Sequence, residues 1–186
     1  MTNDEVLQNF GFYLLSDEIN NESYHNVIQW ILKSNLNNLK KKSGLEHLTL
    51  VINSQGGDLN SCFGIVDMMT SSPLPIHTIG MGEVMSAGLM ILMAGQKGNR
   101  IITPNTTIMS HQFIKTDINA KAYEFEAIKK DFELTKSKYV NHYIKYTGLD
   151  YNVLIEKLLT THDSFLDPDE AVFLGICDYI KPFQFH

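Results

Sequence analysis

The sequence predicts an α/β fold, in which repeated strand–turn–helix units build a largely parallel sheet and one long helix projects from it. Three observations carry this. Leu48-Thr49-Leu50-Val51-Ile52 is a continuous apolar run, the mark of a strand covered on both faces. It enters Asn53-Ser54-Gln55-Gly56-Gly57-Asp58 and then a helical stretch with Leu59, Cys62, Phe63, Val66 and Met69 on one side. After the break at Pro73 to Pro75, Ile76 to Ile79 repeats the plan, leading through Gly80 and Gly82 to Ser86 and a small apolar helix from Ala87 to Ala94. Repeated β-α units imply parallel strands, with functional groups at their C-terminal ends. Finally, from about Lys121 to Tyr146, Phe125, Ile128, Phe132, Thr135, Tyr139, His142 and Tyr146 keep a spacing near that of a coiled coil. A helix this long exceeds what one small core can cover, so it should project and pack on a partner chain.

The remaining elements follow in order. Residues 1–10 read as a short arm and Phe12 to Leu15 as a strand. A helix from about Glu22 to Ser34 places Tyr24, Val27, Ile28, Ile31 and Leu32 on one face, which leaves Trp30 at an edge or interface. Asn35 to Gly44 reads as a polar connection. Within it, Lys40-Lys41-Lys42 reads as a solvated helix end. Arg100 to Thr103 and Thr107 to Met109 are short strands around Pro104-Asn105. Lys115 to Ala120 is polar. Thr147-Gly148 stops the long helix, and Asp150 to about Leu159 forms a shorter one. The last helix is fully signposted: Asp167 caps it, Pro168 takes the first position, Asp169 and Glu170 charge the first turn, and Gly175 stops it. Ile176 to Ile180 closes with a small strand. No linker interrupts residues 1–186, so a single domain is expected.

Composition narrows the function. The chain is 44% hydrophobic, which argues against disorder, and its net charge of −6 gives no electrostatic reason to expect nucleic acid. The two cysteines, Cys62 and Cys177, fit no metal-ligand spacing and sit in apolar settings, as buried thiols of a reducing compartment do. There is no apolar stretch of signal-peptide or membrane-spanning length. A soluble cytoplasmic protein is the expectation.

Ser86 has two readings. A serine before a buried helix is ordinarily an N-cap. It can also be a nucleophile, held where free N–H groups and the helix dipole favour developing negative charge. His111, at a strand end in Ser110-His111-Gln112, is structural or a base. The paired glycines Gly56 and Gly57 permit positive φ and close approach of another molecule. They are not a phosphate loop, because the Gly-Lys-Ser/Thr ending is missing.

At these residues the sequence resembles the ClpP family of self-compartmentalising serine peptidases. Ile52-Asn53-Ser54-Gln55-Gly56-Gly57 is similar to the family's I-N-S-P-G-G turn, and Met81-Gly82-Glu83-Val84-Met85-Ser86-Ala87-Gly88 to its nucleophile segment. Thr103-Pro104-Asn105 and Met109-Ser110-His111-Gln112 echo its L-P-N and M-I-H-Q-P pieces. His162-Asp163-Ser164-Phe165-Leu166, Glu170-Ala171, Gly175 and Asp178 echo its tail. The likeness spans about Gly11 to Lys181 with the pieces in family order.

The resemblance implies the ClpP/crotonase fold of repeated β-β-α units, with the stretch from about 121 to 146 as the projecting handle helix. It implies a catalytic triad of Ser86 as nucleophile, His111 as general base and then acid, and Asp163 orienting the imidazole, with Asp167 and Thr160 as alternatives to Asp163. It also implies an oxyanion hole from the backbone N–H groups of Gly57 and Ala87. No metal or organic cofactor is implied. The homo-oligomer would be two stacked heptameric rings, fed unfolded polypeptides by a hexameric AAA+ unfoldase that uses the ATP. Several positions depart from the family pattern. His162 stands where arginine is usual before the aspartate, and Glu83 where glutamine commonly follows Met-Gly. The stretch from Phe113 to Ala120 lacks glycine, the arm before Phe12 is short, and extra residues lie between Gly148 and Asp163. Two other classes fit the same residues less well: a non-catalytic ring subunit co-assembling with an active homologue, and a crotonase-like acyl-thioester enzyme.

Overall fold

A computed structural model of the chain describes residues 3–40, 43–114 and 125–183. Strands β1 (Phe12–Leu15), β2 (Leu48–Ser54), β3 (Ile76–Met85), β4 (Arg100–Ile102) and β7 (Tyr179–Ile180) lie side by side in that order, all parallel. β5 (Thr107–Ser110) runs parallel to the far end of β3, and β6 (Ser164–Leu166) adds to β5 antiparallel. The expected α/β architecture is therefore present. Around the sheet lie α1 (Asn3–Asn9), α2 (Asn21–Leu39), α3 (Leu59–Ser71), α4 (Ala87–Met93), α5 (Phe125–Thr147), α6 (Tyr151–Lys157) and α7 (Pro168–Phe173). Leu48, Leu50 and Ile52 on one face of β2 are fully buried, and Thr49 and Val51 on the other are buried too, so the strand is covered on both faces. Every residue of α4 is buried, so the helix that follows Ser86 sits inside the core.

The structure corrects four expectations. The arm contains a helical turn or two, α1. α2 is longer than the run from Glu22 to Ser34. It begins one residue earlier because Asn20 caps it, accepting from the Glu22 and Ser23 amides while Ser23 Oγ accepts from the Asn20 amide. It continues because Asn35, polar and loop-like in sequence, is buried and bonded. Its Nδ2 donates to the Ile31 carbonyl and Ser72 Oγ, and its Oδ1 accepts from the Leu74 amide. Trp30 is not at an edge: it is 2% exposed and packs on Tyr13, ring centroids 5.3 Å apart. Lastly, β3 does not stop at Ile79. A side chain at Gly80 would press on Val84 and Ile102, and Gly82, at φ 69°, lets Asn53 Oδ1 accept from the Glu83 amide. These glycines let the strand run on beside its neighbours rather than turn it. Residues 115–124, holding the polar connection and the first turn expected of the long helix, lie outside the described residues, as do Lys41 and Lys42.

α5 buries Tyr139, His142 and Tyr143 but exposes Phe125 and Leu134, so its first half extends beyond the core. The caps predicted for the last helix are all there: Asp167 and Glu170 form a reciprocal capping box, Pro168 is first, and Gly175 has φ 73°. Cys62 and Cys177 are free and buried. Among the described residues no helix is long and apolar enough to cross a membrane.

His142 makes the fold acid-sensitive. Burial pushes its imidazole down to about 4 against an ordinary 6.5; the Met90 carbonyl, which accepts from Nε2, opposes this and Lys145 adds to it. His77 shifts the same way, through burial and the stacked ring of His47. With a folded-state value below the unfolded one, the unfolded chain binds the proton first, so stability falls as pH falls through that window. Denaturation measured at pH 7 and 4.5 should show a loss of about 2 kcal/mol from His142. A His142→Gln chain should lose correspondingly less between the same two pH values.

Candidate active site

Ser86 stands between β3 and α4, and its backbone is the first sign that it is no ordinary cap. A capping serine has extended backbone and accepts from an amide within the first turn. Ser86 has φ 50° and ψ −120°, and its side chain makes no cap hydrogen bond. Among the described residues it is the one non-glycine with positive φ. Such a conformation costs about 1–3 kcal/mol and persists only where surroundings impose it. Here the Ser86 amide donates to the Met109 carbonyl of β5 at 3.0 Å, and the Ser86 carbonyl accepts from Met90. The result turns Oγ away from its own helix and toward His111, whose Nε2 lies 2.8 Å away. The two residues are 25 positions apart in the chain. β5 brings them together by pairing Met109 with Met85, one residue before Ser86 and two before His111.

The glycine turn closes on the same point. A Cβ at Gly56 would lie 2.7 Å from Ser86 Cβ and 3.0 Å from the Ala87 nitrogen. Ser54 Oγ holds the turn from below, donating to the Asp17 carbonyl at 2.6 Å and accepting from the Gly56 amide at 3.2 Å. An isolated parallel bridge joins Ile19 to Gly57 through the Gly56 carbonyl and the Asp58 amide. Neither the Gly57 nor the Ala87 amide has an acceptor among the described residues. Ala87 directly follows Ser86, and Gly57 follows the glycine that packs on it. Asp17, Glu18 and Glu83 line a hollow of about 560 Å³ along this turn, and Gln55 Nε2 donates to Glu83 at 2.9 Å.

Gly56→Ala should lower kcat at least about 100-fold and also lower the melting temperature. The new methyl meets Ser86 Cβ, and φ 103° is strained for any L side chain, so the turn must retreat and carry the Gly57 amide with it. Peptide hydrolysis by purified enzyme measures it.

Asp163 is placed differently. The β5–β6 ladder pairs Ser110 with Ser164, and one step further Asp163 falls opposite His111. Its carboxylate is exposed, however, and among the described residues no hydrogen bond joins it to the imidazole. The two alternatives are occupied elsewhere. Thr160 Oγ1 donates to the His162 carbonyl, and Asp167 Oδ1 accepts from Glu170 as the cap of α7. No group of three or more histidine, cysteine or acidic side chains is placed to hold a metal among the described residues.

Residues 4–182 match the family model described as Clp protease. The chain belongs to the Clp protease family. An ATP-dependent Clp protease proteolytic subunit of Bdellovibrio bacteriovorus is 30% identical over 169 residues, 90% of this chain and 76% of that protein. The Clp motifs mark Ser86, His111 and the glycine turn, but they do not mark what supports them. The Tyr139 hydroxyl donates to the His111 carbonyl at 2.8 Å, and Gln112 Nε2 donates to the Leu159 carbonyl at 2.9 Å. A signal was present: Tyr139 sits on the apolar face of its helix, and a buried tyrosine hydroxyl needs a partner.

Proposed function

We infer that this Clp-family chain is the proteolytic subunit of a Clp-type protease, a serine endopeptidase that works through an acyl-enzyme on Ser86. The 2.8 Å contact between Ser86 Oγ and His111 Nε2 carries the reading. A serine hydroxyl is a poor nucleophile until a base removes its proton, and imidazole titrates near neutral pH. Ser86 Oγ attacks the scissile carbonyl as His111 takes the proton. The carbonyl oxygen becomes an oxyanion beside the Gly57 and Ala87 amides, each contributing about 3–4 kcal/mol to lowering the barrier. His111 then returns the proton to the departing amine, and water repeats the sequence on the ester. Asp163, one residue beyond the Ser110–Ser164 pair that ends the ladder, is the carboxylate that would swing toward the imidazole and fix its tautomer.

The chain acts as one domain within a cytoplasmic homo-oligomer of stacked heptameric rings. An AAA+ unfoldase delivers unfolded polypeptide, and the chain itself needs no cofactor. An apolar stripe of Leu32, Leu36 and Leu39 exposed along α2 supports burial in an assembly. Fluorophosphonate labelling followed by mass spectrometry tests the reading. The adduct should fall on Ser86 and abolish hydrolysis of fluorogenic peptides. Assembled rings that take no adduct there would be a non-catalytic subunit. Turnover of acyl thioesters, unaffected by labelling, would point to the crotonase-like class.

A further inference from the structure

We propose that Tyr139 is a positioning residue for the reaction, fixing His111 from α5 at the end of a buried chain of hydroxyl groups. The inference rests on His111 being the general base. The β5 ladder ends at Ser110, so strand pairing stops one residue before the histidine. What holds His111 instead is its carbonyl, which accepts from Tyr139 Oη at 2.8 Å. Tyr139 Oη lies 3.4 Å from Tyr143 Oη, and Tyr143 Oη lies 2.9 Å from Ser110 Oγ. Ser110 and Tyr143 are fully buried and Tyr139 is 1% exposed.

The acceptor at one end sets the direction of every proton. A carbonyl cannot donate, so Tyr139 donates to it; Tyr139 then accepts from Tyr143, and Tyr143 from Ser110. The chain starts on the residue before His111 and returns to His111 through two tyrosines one turn apart on α5. It closes a loop around the point where the backbone leaves the sheet. Phe113, packed on Phe132 and Tyr139, seals the same junction. Positional errors of about 1 Å at a base can cost on the order of 100-fold in rate. The hydroxyl of Tyr139 therefore acts on catalysis through the backbone of His111 and never touches substrate.

Tyr139→Phe and Tyr143→Phe separate this from simple satisfaction of buried groups. Each removes one oxygen, but only the first frees the His111 carbonyl. Rates are measured on assembled enzyme with a fluorogenic peptide and with a fluorophosphonate. Tyr139→Phe should lower kcat about tenfold at unchanged KM and slow phosphonylation of Ser86 by the same factor. Tyr143→Phe should change either rate less than about threefold, although its melting temperature falls as far. The proposal is overturned if Tyr139→Phe keeps wild-type rates. It is equally overturned if both variants lose rate in step with melting temperature, or if Tyr139→Phe fails to assemble. His111→Ala is the control for the underlying reading. Undiminished phosphonylation there would remove His111 as base, a different result from an unaffected Tyr139→Phe.

Discussion

Ser86→Ala should reduce kcat for peptide hydrolysis on the order of 10⁴- to 10⁶-fold, with the protein still folded and assembled. The expected size follows from what the substitution removes and what it leaves. Without Oγ no acyl-enzyme forms, so covalent catalysis is lost outright. The Gly57 and Ala87 amides remain, and so residual hydrolysis by water should stay measurable above the uncatalysed rate. Stability should rise slightly or not change, because alanine at φ 50° is no better placed than serine but the strained hydroxyl no longer has to be held. His111→Ala should cost nearly as much, since the 2.8 Å contact is what turns the hydroxyl into a nucleophile. The two losses should not add: the double variant should fall within about tenfold of either single one, as residues acting as one unit do. Additive losses would mean that serine and histidine serve separate steps.

Much of this was legible in the chain itself because its signals are local. The apolar run of β2, the start of β3 and the caps of α7 each depend on residues within a few positions. So does the register of Ser86 with the helix behind it. The Ser86–His111 pairing was legible only through family resemblance, because it depends on β5 folding beside β3. The errors share a cause. Gly80 and Gly82 read as a turn, yet each is there for a neighbour that is distant in sequence, Ile102 and Asn53. Asn35 read as loop, yet its partners Ser72 and Leu74 lie just past the C-terminus of α3, 37 and 39 positions away. A polar or glycine residue is ambiguous until its long-range partner is known. Tyr139 is the functional instance: its spacing gave the buried face, and only the fold supplies His111 as the reason for the hydroxyl. Asp163 shows the converse, since pattern and ladder both place it opposite His111 while its carboxylate faces solvent.

Asp178→Ala should destabilise the fold by about 3–5 kcal/mol, a large share of the total stability of an ordinary domain. Arg100 is 3% exposed, and Asp178 is the carboxylate that pairs with it. Asp178 Oδ1 accepts from Nη2 at 2.7 Å; Oδ2 accepts from Nε at 3.0 Å and also from the Gly98 and Arg100 amides, at 2.7 and 2.9 Å. Burial raises the carboxyl, but these hydrogen bonds and the guanidinium charge outweigh it and hold it below the usual range. Its contribution is therefore present at neutral pH and lost as pH falls through that lowered value. Removing the carboxylate leaves a buried cation and two orphaned amides. The consequence reaches beyond β4 and β7, because Arg100 Nη1 also donates to the Tyr146 carbonyl at 3.0 Å and to Met93 at 3.5 Å. One guanidinium thus ties the last turn of α5 to the C-terminus of α4, the helix that follows Ser86. Denaturant unfolding should rank three variants. Asp178→Asn, which keeps an acceptor for the amides, should cost less than Asp178→Ala. Arg100→Met with Asp178→Leu should also cost less than Asp178→Ala, because no charge is left unpaired. That pair should not regain full stability, since the Gly98 and Arg100 amides would still lack their acceptor. Equal losses in all three would overturn this account, because neither a retained acceptor for the amides nor removal of the unpaired charge would have made a difference.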